Sequence, residues 1–461
     1  MFTRLSIKSS SLIRHYSSSA FQETKRVAEL STLANGLKVV SLSGGYSGHA
    51  VSLGLMVNTG SRFETQQTAG VNQLLKNLVF QSNSSKIYLE VQREIELMGS
   101  TAFAQASRDN LLVSTQVLPP FSLQMLQTLA ELSDPTLPFH EVRDNTEWTV
   151  GESESLAHCE QTTLFEDLHR SAFRGRTLGR PLVAPASNLE NLTTEQVQSY
   201  ANQVYAPHNM VLVGVGLQHK ELVEEASQIK FGRNNSNSNN SSNVSIPREQ
   251  AKYIGGESLT YQTGDSHVIL AFEGVSAASS VKDVAAAAVL QALLGSASVL
   301  PATAPGAGRA SRLYSLLEKS NGNVEKAEAF SLNYADSGLF GVYSVAQSGD
   351  VATVIRQIAG ELVGAARATG QELERAKQLA KSQFLASAEQ RTCALEFVGK
   401  QALYGGKVLT PEEYVAEVSK LTSDDVKRVA QRILSSKPTL VVRGDLTNVP
   451  TCEEVSSLLK L

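Results

Sequence analysis

The chain carries one structural pattern twice. Ala102 and Ala329, Phe103 and Phe330, Asp109 and Asp336, and Leu112 and Leu339 all stand 227 residues apart. Around them, residues 101–117 and 328–344 each read as an apolar segment, a polar turn (SRDN or YADSG) and a second apolar segment. That is the pattern of a β-hairpin. A second block, 192–217 against 421–446, matches at a spacing of 229, with Val197/Val426, Ala201/Ala430 and Leu217/Leu446 in register. Each copy is a capped helix leading into an apolar strand, MVLVGVG or TLVVRGD. Earlier in each half, the strand 51–56 matches 267–272 and the helix 70–80 matches 284–294, at spacings of 216 and 214. Separate blocks in one order at nearly equal spacing make chance a poor explanation. The expectation is an α+β fold of two homologous modules, each a mostly antiparallel sheet backed by helices, arranged as a clamshell. The rise in spacing from 214 to 227 places about 13 additional residues in the second copy, at 296–308.

Composition shifts most sharply at residues 233–247, RNNSNSNNSSNVSIP, which hold almost nothing able to fill a core. This reads as a linker over 233–248 between modules at 17–232 and 249–461. Residues 1–22 contain Arg4, Lys8 and Arg14, seven serines and no acid. At 100° per residue Phe2, Leu5, Leu12 and Ile13 gather opposite the three cations. A basic, serine-rich amphipathic start of this kind reads as a mitochondrial presequence over 1–16, with cleavage expected after Tyr16. Its loss removes three positive charges and takes the formal charge from −4 to −7.

With 41 Lys+Arg against 45 Asp+Glu, the chain is too balanced for a protein that grips nucleic-acid phosphates. Cys159, Cys393 and Cys452 are scattered, so neither a disulfide framework nor a cysteine-rich zinc site is expected. Residues 284–308 are uncharged but rich in alanine and broken by Pro301 and Pro305. They read as a buried helix and a loop, not a membrane span. Gly151-Glu152-Ser153-Glu154-Ser155 lacks the last glycine of a nucleophile elbow. No haem, iron–sulfur or quinone motif appears, and no cofactor is expected.

The order strand, GSRFE, Gly70 and an amphipathic helix ending at Phe80 resembles the pitrilysin-type zinc peptidases. Their inverted motif H-x-x-E-H puts two imidazoles on one helix face to hold zinc, with a glutamate to activate water. Here those positions hold Gln73, Lys76 and Asn77. An amide is a poor zinc ligand, and an ammonium repels the metal. The resemblance implies that the family's third ligand falls on Glu154, with a companion acid at Glu147. One carboxylate does not hold zinc, so both acids read as solvated or capped helix carboxylates, and neither a catalytic nor a metal-binding residue is expected. The stretch 168–181, LHRSAFRGRTLGRP, also resembles the family, with His169 read as structural.

Within the family, residues 252–257, 333–343 and 397–403 resemble core protein 2 of ubiquinol–cytochrome c reductase, respiratory complex III. That resemblance implies a non-catalytic structural subunit on the matrix side of the mitochondrial inner membrane. It would pair with core protein 1 and meet cytochrome b, cytochrome c1 and the Rieske protein. The alternative is a presequence-binding, non-catalytic α subunit of the mitochondrial processing peptidase, in which a Gly-rich loop in the second half helps take up presequences. The insert here holds only Gly306 and Gly308 among Ala and Pro. Its stiffness favours the core-subunit reading.

Overall fold

The structure, a computed structural model, describes residues 25–46, 50–232, 249–298, 309–320, 322–368 and 370–459. The expected presequence 1–16, the linker 233–248 and residues 299–308 of the insert lie outside the described residues. The first half supplies strands β1 (Val27–Thr32), β2 (Lys38–Ser43), β3 (Val51–Val57), β4 (Thr101–Ala106), β5 (Leu111–Val117) and β6 (Met210–Val215). The second supplies β7 (Gly256–Tyr261), β8 (Ser266–Glu273), β9 (Ser296–Ser298), β10 (Val324–Asn333), β11 (Gly338–Ala346) and β12 (Thr439–Gly444).

The strands form two six-stranded sheets, ordered β1-β2-β6-β3-β5-β4 and β7-β12-β8-β11-β10-β9. Five strands correspond one to one: β2 with β7, β6 with β12, β3 with β8, β5 with β11 and β4 with β10. In each set one pair is parallel (β2–β6 and β7–β12) and the other neighbours run antiparallel. The copies differ at opposite edges. β1 extends the first sheet beside β2, while β9, cut from the start of the insert, extends the second beside β10. Helix lengths repeat as well: Phe139–Ala157 and Gln371–Glu389 have 19 residues each, and Glu160–Ala172 and Arg391–Leu403 have 13. The threonines that begin the repeated helices, Thr193 and Thr422, both form capping boxes, with Gln196 and Asp425.

Strand alternation divides each sheet between two cores. Leu53, Leu55 and Val57 face the first module's own helices, where Leu74, Leu126 and Val197 pack. Val268, Leu270 and Phe272 do the same in the second. The opposite faces are covered by exchange. Ala394, Leu395 and Val398 of the Arg391–Leu403 helix pack on Met56, Leu112 and Val213 of the first sheet. Leu164, Leu168 and Phe173 of the first half pack on Ile269, Leu339 and Val441 of the second sheet. Each module thus completes the other's core. Among the described residues no helix is long and apolar enough to cross a membrane, and the uncharged stretch beginning near 284 forms the buried helix Val281–Leu294.

Candidate functional site

The helix Val71–Leu78 carries the three positions of the lost zinc motif. Gly70 opens it at φ 94, a left-handed conformation that glycine adopts without strain. A Cβ there would also meet Ala184 Cβ at 2.6 Å. The buried Glu64 caps the first turn, accepting hydrogen bonds from Gly70 N (2.9 Å), Asn72 N (2.9 Å) and Asn72 Nδ2 (3.1 Å). Burial pushes its carboxyl up to about 7, against the downward pull of those bonds and of Arg180.

Gln73, Lys76 and Asn77 all point at the Phe139–Ala157 helix, and each is bound there. Gln73 donates from Nε2 to Ser153 Oγ (2.8 Å) and accepts from Ala184 N (3.0 Å). Lys76 Nζ forms an ion pair with Glu152 Oε1 at 2.5 Å. Asn77 Nδ2 donates to Thr149 Oγ1 (2.8 Å) and Glu152 Oε2 (3.2 Å). Burial alone would raise the Glu152 carboxyl; Lys76, Asn77 and Gln73 outweigh it and hold the group low.

The two acids that the resemblance brings to the third-ligand position lie on the outer face of the Phe139–Ala157 helix. Glu147 and Glu154 are exposed, and the hydrogen bonds and ion pair of Gln73, Lys76 and Asn77 go instead to Ser153, Ala184, Glu152 and Thr149. Helical phase is the reason. At 100° per residue two positions seven apart share a face, and this face lies opposite the one carrying Thr149, Glu152 and Ser153. Sequence reasoning missed Glu152, whose signal was its 3-residue offset from Thr149 on the inward stripe. Where the peptidases place two imidazoles, a glutamate and a metal, this chain places two amides, an ammonium and one carboxylate in closed contact. An ammonium bound to Glu152 accepts no proton from water, and no group of three His, Cys, Asp or Glu among the described residues is arranged to hold a metal ion.

His169 is buried, and its partners fix its tautomer: Nδ1 donates to Phe165 O (2.6 Å) while Nε2 accepts from Tyr334 Oη (2.8 Å). Desolvation, then Arg108, holds its pKa well below the ordinary value. It ties the first module to the second. The incomplete elbow Ser153 is mid-helix and buried.

Two sheets of this order, the exchanged helices and a motif helix at this position define a two-module peptidase-type fold. A family model described as Insulinase (Peptidase family M16) matches residues 39–186, and one described as Peptidase M16 inactive domain matches residues 191–380. The chain belongs to peptidase family M16. It is 57% identical over 450 residues to the mitochondrial-processing peptidase subunit alpha-2 of Dictyostelium discoideum, covering 98% of this chain and 99% of that protein. It is 26% identical to the human cytochrome b-c1 complex subunit 2, covering 93% and 92%. A chain of complex III2 from Candida albicans with Inz-5 bound shares the fold at TM-score 0.79 and 17% identity, covering 94% of this chain and 100% of that one.

The core-subunit reading is therefore overturned. Identity to the processing-peptidase relative is more than twice that to the cytochrome b-c1 subunit, over equal or greater length. The segments that suggested complex III, 252–257, 333–343 and 397–403, begin strands, make the hairpin and form the exchanged helix. They are features of the shared fold. The insert's glycine content did not separate the two readings, and its residues 299–308 lie outside the described ones.

Proposed function

We propose that this chain is the non-catalytic α-type subunit of a mitochondrial processing peptidase, acting in the matrix beside a catalytic M16 sister and binding the presequences that the sister cleaves. Its identity of 57% over 98% of the chain to a processing-peptidase α subunit carries this reading. The site supports it. Lys76, paired with Glu152, stands where the catalytic base would be, and Gln73 and Asn77 stand in place of the zinc-binding histidines. In this reading residues 1–16 are the removable address, and 233–248 join the modules at 17–232 and 249–461. The partner is a β-type sister rather than core protein 1, cytochrome b, cytochrome c1 or the Rieske protein.

Co-expression tests it. The chain and a catalytic β-type subunit, purified together, should cleave a matrix precursor at its presequence, while neither cleaves alone. Cleavage by the sister alone at the rate of the pair would refute the proposal.

A further inference from the structure

One acid implied by the family resemblance, Glu147, is left without a role by the motif helix. It lines instead a groove of about 520 Å³ between the start of the Phe139–Ala157 helix and residues 190–195. The groove is apolar at its base, where Val142 and Leu192 are buried, and Phe139 stands 70% exposed at one wall. Three carboxylates surround it: Glu147, Glu190 and Glu195. None has an ion pair or side-chain hydrogen bond among the described residues. The lining also holds one cation, Arg143, which donates to Asp144 Oδ1 from Nε (3.1 Å) and Nη2 (2.9 Å), so three acids and one arginine leave the lining with a net charge of −2. An apolar slot whose lining carries net negative charge complements a segment with apolar side chains between positive ones. It disfavours acidic segments, whose carboxylates would face three of like charge.

We propose that this groove is a docking site for the basic, apolar-anchored presequence of a precursor, separate from the lost zinc site. The identity of the ligand rests on the proposed function; its chemistry rests on the groove. One apolar side chain would pack against Phe139, Val142 and Leu192, and cations to either side would face Glu147, Glu190 and Glu195. The chain's own residues 1–16 have this chemistry, with Arg4, Lys8 and Arg14 among Phe2, Leu5, Leu12 and Ile13 and no acid.

A fluorescein-labelled synthetic peptide of residues 1–16 is the probe. Its affinity for the mature chain paired with its catalytic sister is read by anisotropy. Glu147→Lys combined with Glu195→Lys should weaken binding about tenfold or more, and added salt should weaken the parent far more than the variant. Phe139→Ala should weaken it by about threefold to tenfold, while Glu224→Lys, away from the groove, should leave it within about twofold. All four positions are exposed, so the variants should fold, which thermal unfolding checks. Affinity of the double variant within about twofold of the parent would overturn the proposal. So would loss of the sister with peptide affinity intact, which would make the groove a subunit contact. A pair that cleaves precursors with no effect of the groove variants would sink the groove alone; a pair that neither binds the peptide nor cleaves would sink both readings.

Discussion

Lys76 decides the chemistry of the motif helix, and its energetics can be measured. Its ammonium and the Glu152 carboxylate are each partly buried, so the pair contributes modestly. Lys76→Met should cost about 0.5–1 kcal/mol. Lys76→Glu, which restores the peptidase residue but sets two carboxylates against each other, should cost more, about 1–2 kcal/mol, in urea unfolding. Glu64 gives a pH signature. Its folded-state pKa of about 7 exceeds the ordinary 4.5, so between these values the folded chain keeps a proton that the unfolded chain has released. Stability from this group therefore falls as pH rises through that window, by at most about 1.4 kcal/mol per pH unit. Glu64→Gln should flatten that slope between pH 5 and 7. His169 acts in the opposite sense, losing stability as pH falls below 6.5, but it is common to both proteins and cancels in the comparison. At this scale the sequence made the lost motif legible, because the resemblance of GSRFE, Gly70 and the helix ending at Phe80 to the zinc peptidases locates 73, 76 and 77. The partners of those residues were not legible, since they depend on the phase of a helix some 70 residues away.

Among elements, the two hairpin turns do the joining. Asp336, in the β10–β11 turn, accepts from Arg62 Nη1 (2.9 Å) and Nη2 (2.8 Å) and from Ala251 N (2.9 Å). Its repeat partner Asp109, in the β4–β5 turn, accepts from Ala335 N (3.0 Å). The one acid retained in both copies of the hairpin thus reaches across to the other module each time. Asp336→Ala leaves the buried Arg62 guanidinium without its carboxylate and should cost about 3 kcal/mol or more. Asp109→Ala, which frees the Ala335 N–H and also removes an acceptor of Ser107 Oγ and Asn110 Nδ2, should cost about 1–2 kcal/mol in the same denaturation assay. The exchanged helix depends on glycine. A Cβ on Gly54 in β3 would come within 2.7 Å of Leu395 Cδ2. Gly54→Val should therefore lift the Arg391–Leu403 helix and cost about 1–3 kcal/mol. The repeat predicted these hairpins and helices, because periodicity is local. It did not predict the exchange, which pairs a helix of one half with the sheet of the other, far apart in the sequence.

The whole molecule is a duplicated unit whose halves share their cores, and the sequence conveyed that doubling well. Offsets near 227 and 229 mark strands that occupy equivalent places in the two sheets. Function was less legible. Complex III core subunits and processing-peptidase subunits share this fold, so residues that maintain the fold cannot separate them, and only identity along the full chain did. The most direct measurement is reconstitution with a catalytic β-type M16 sister, followed by presequence cleavage and zinc content. The expected product is a complex of one chain of each kind that cleaves a matrix precursor and carries its zinc on the sister, with Lys76→Met in this chain leaving cleavage intact. Stoichiometric zinc on this chain, or cleavage abolished by Lys76→Met in a folded complex, would contradict it.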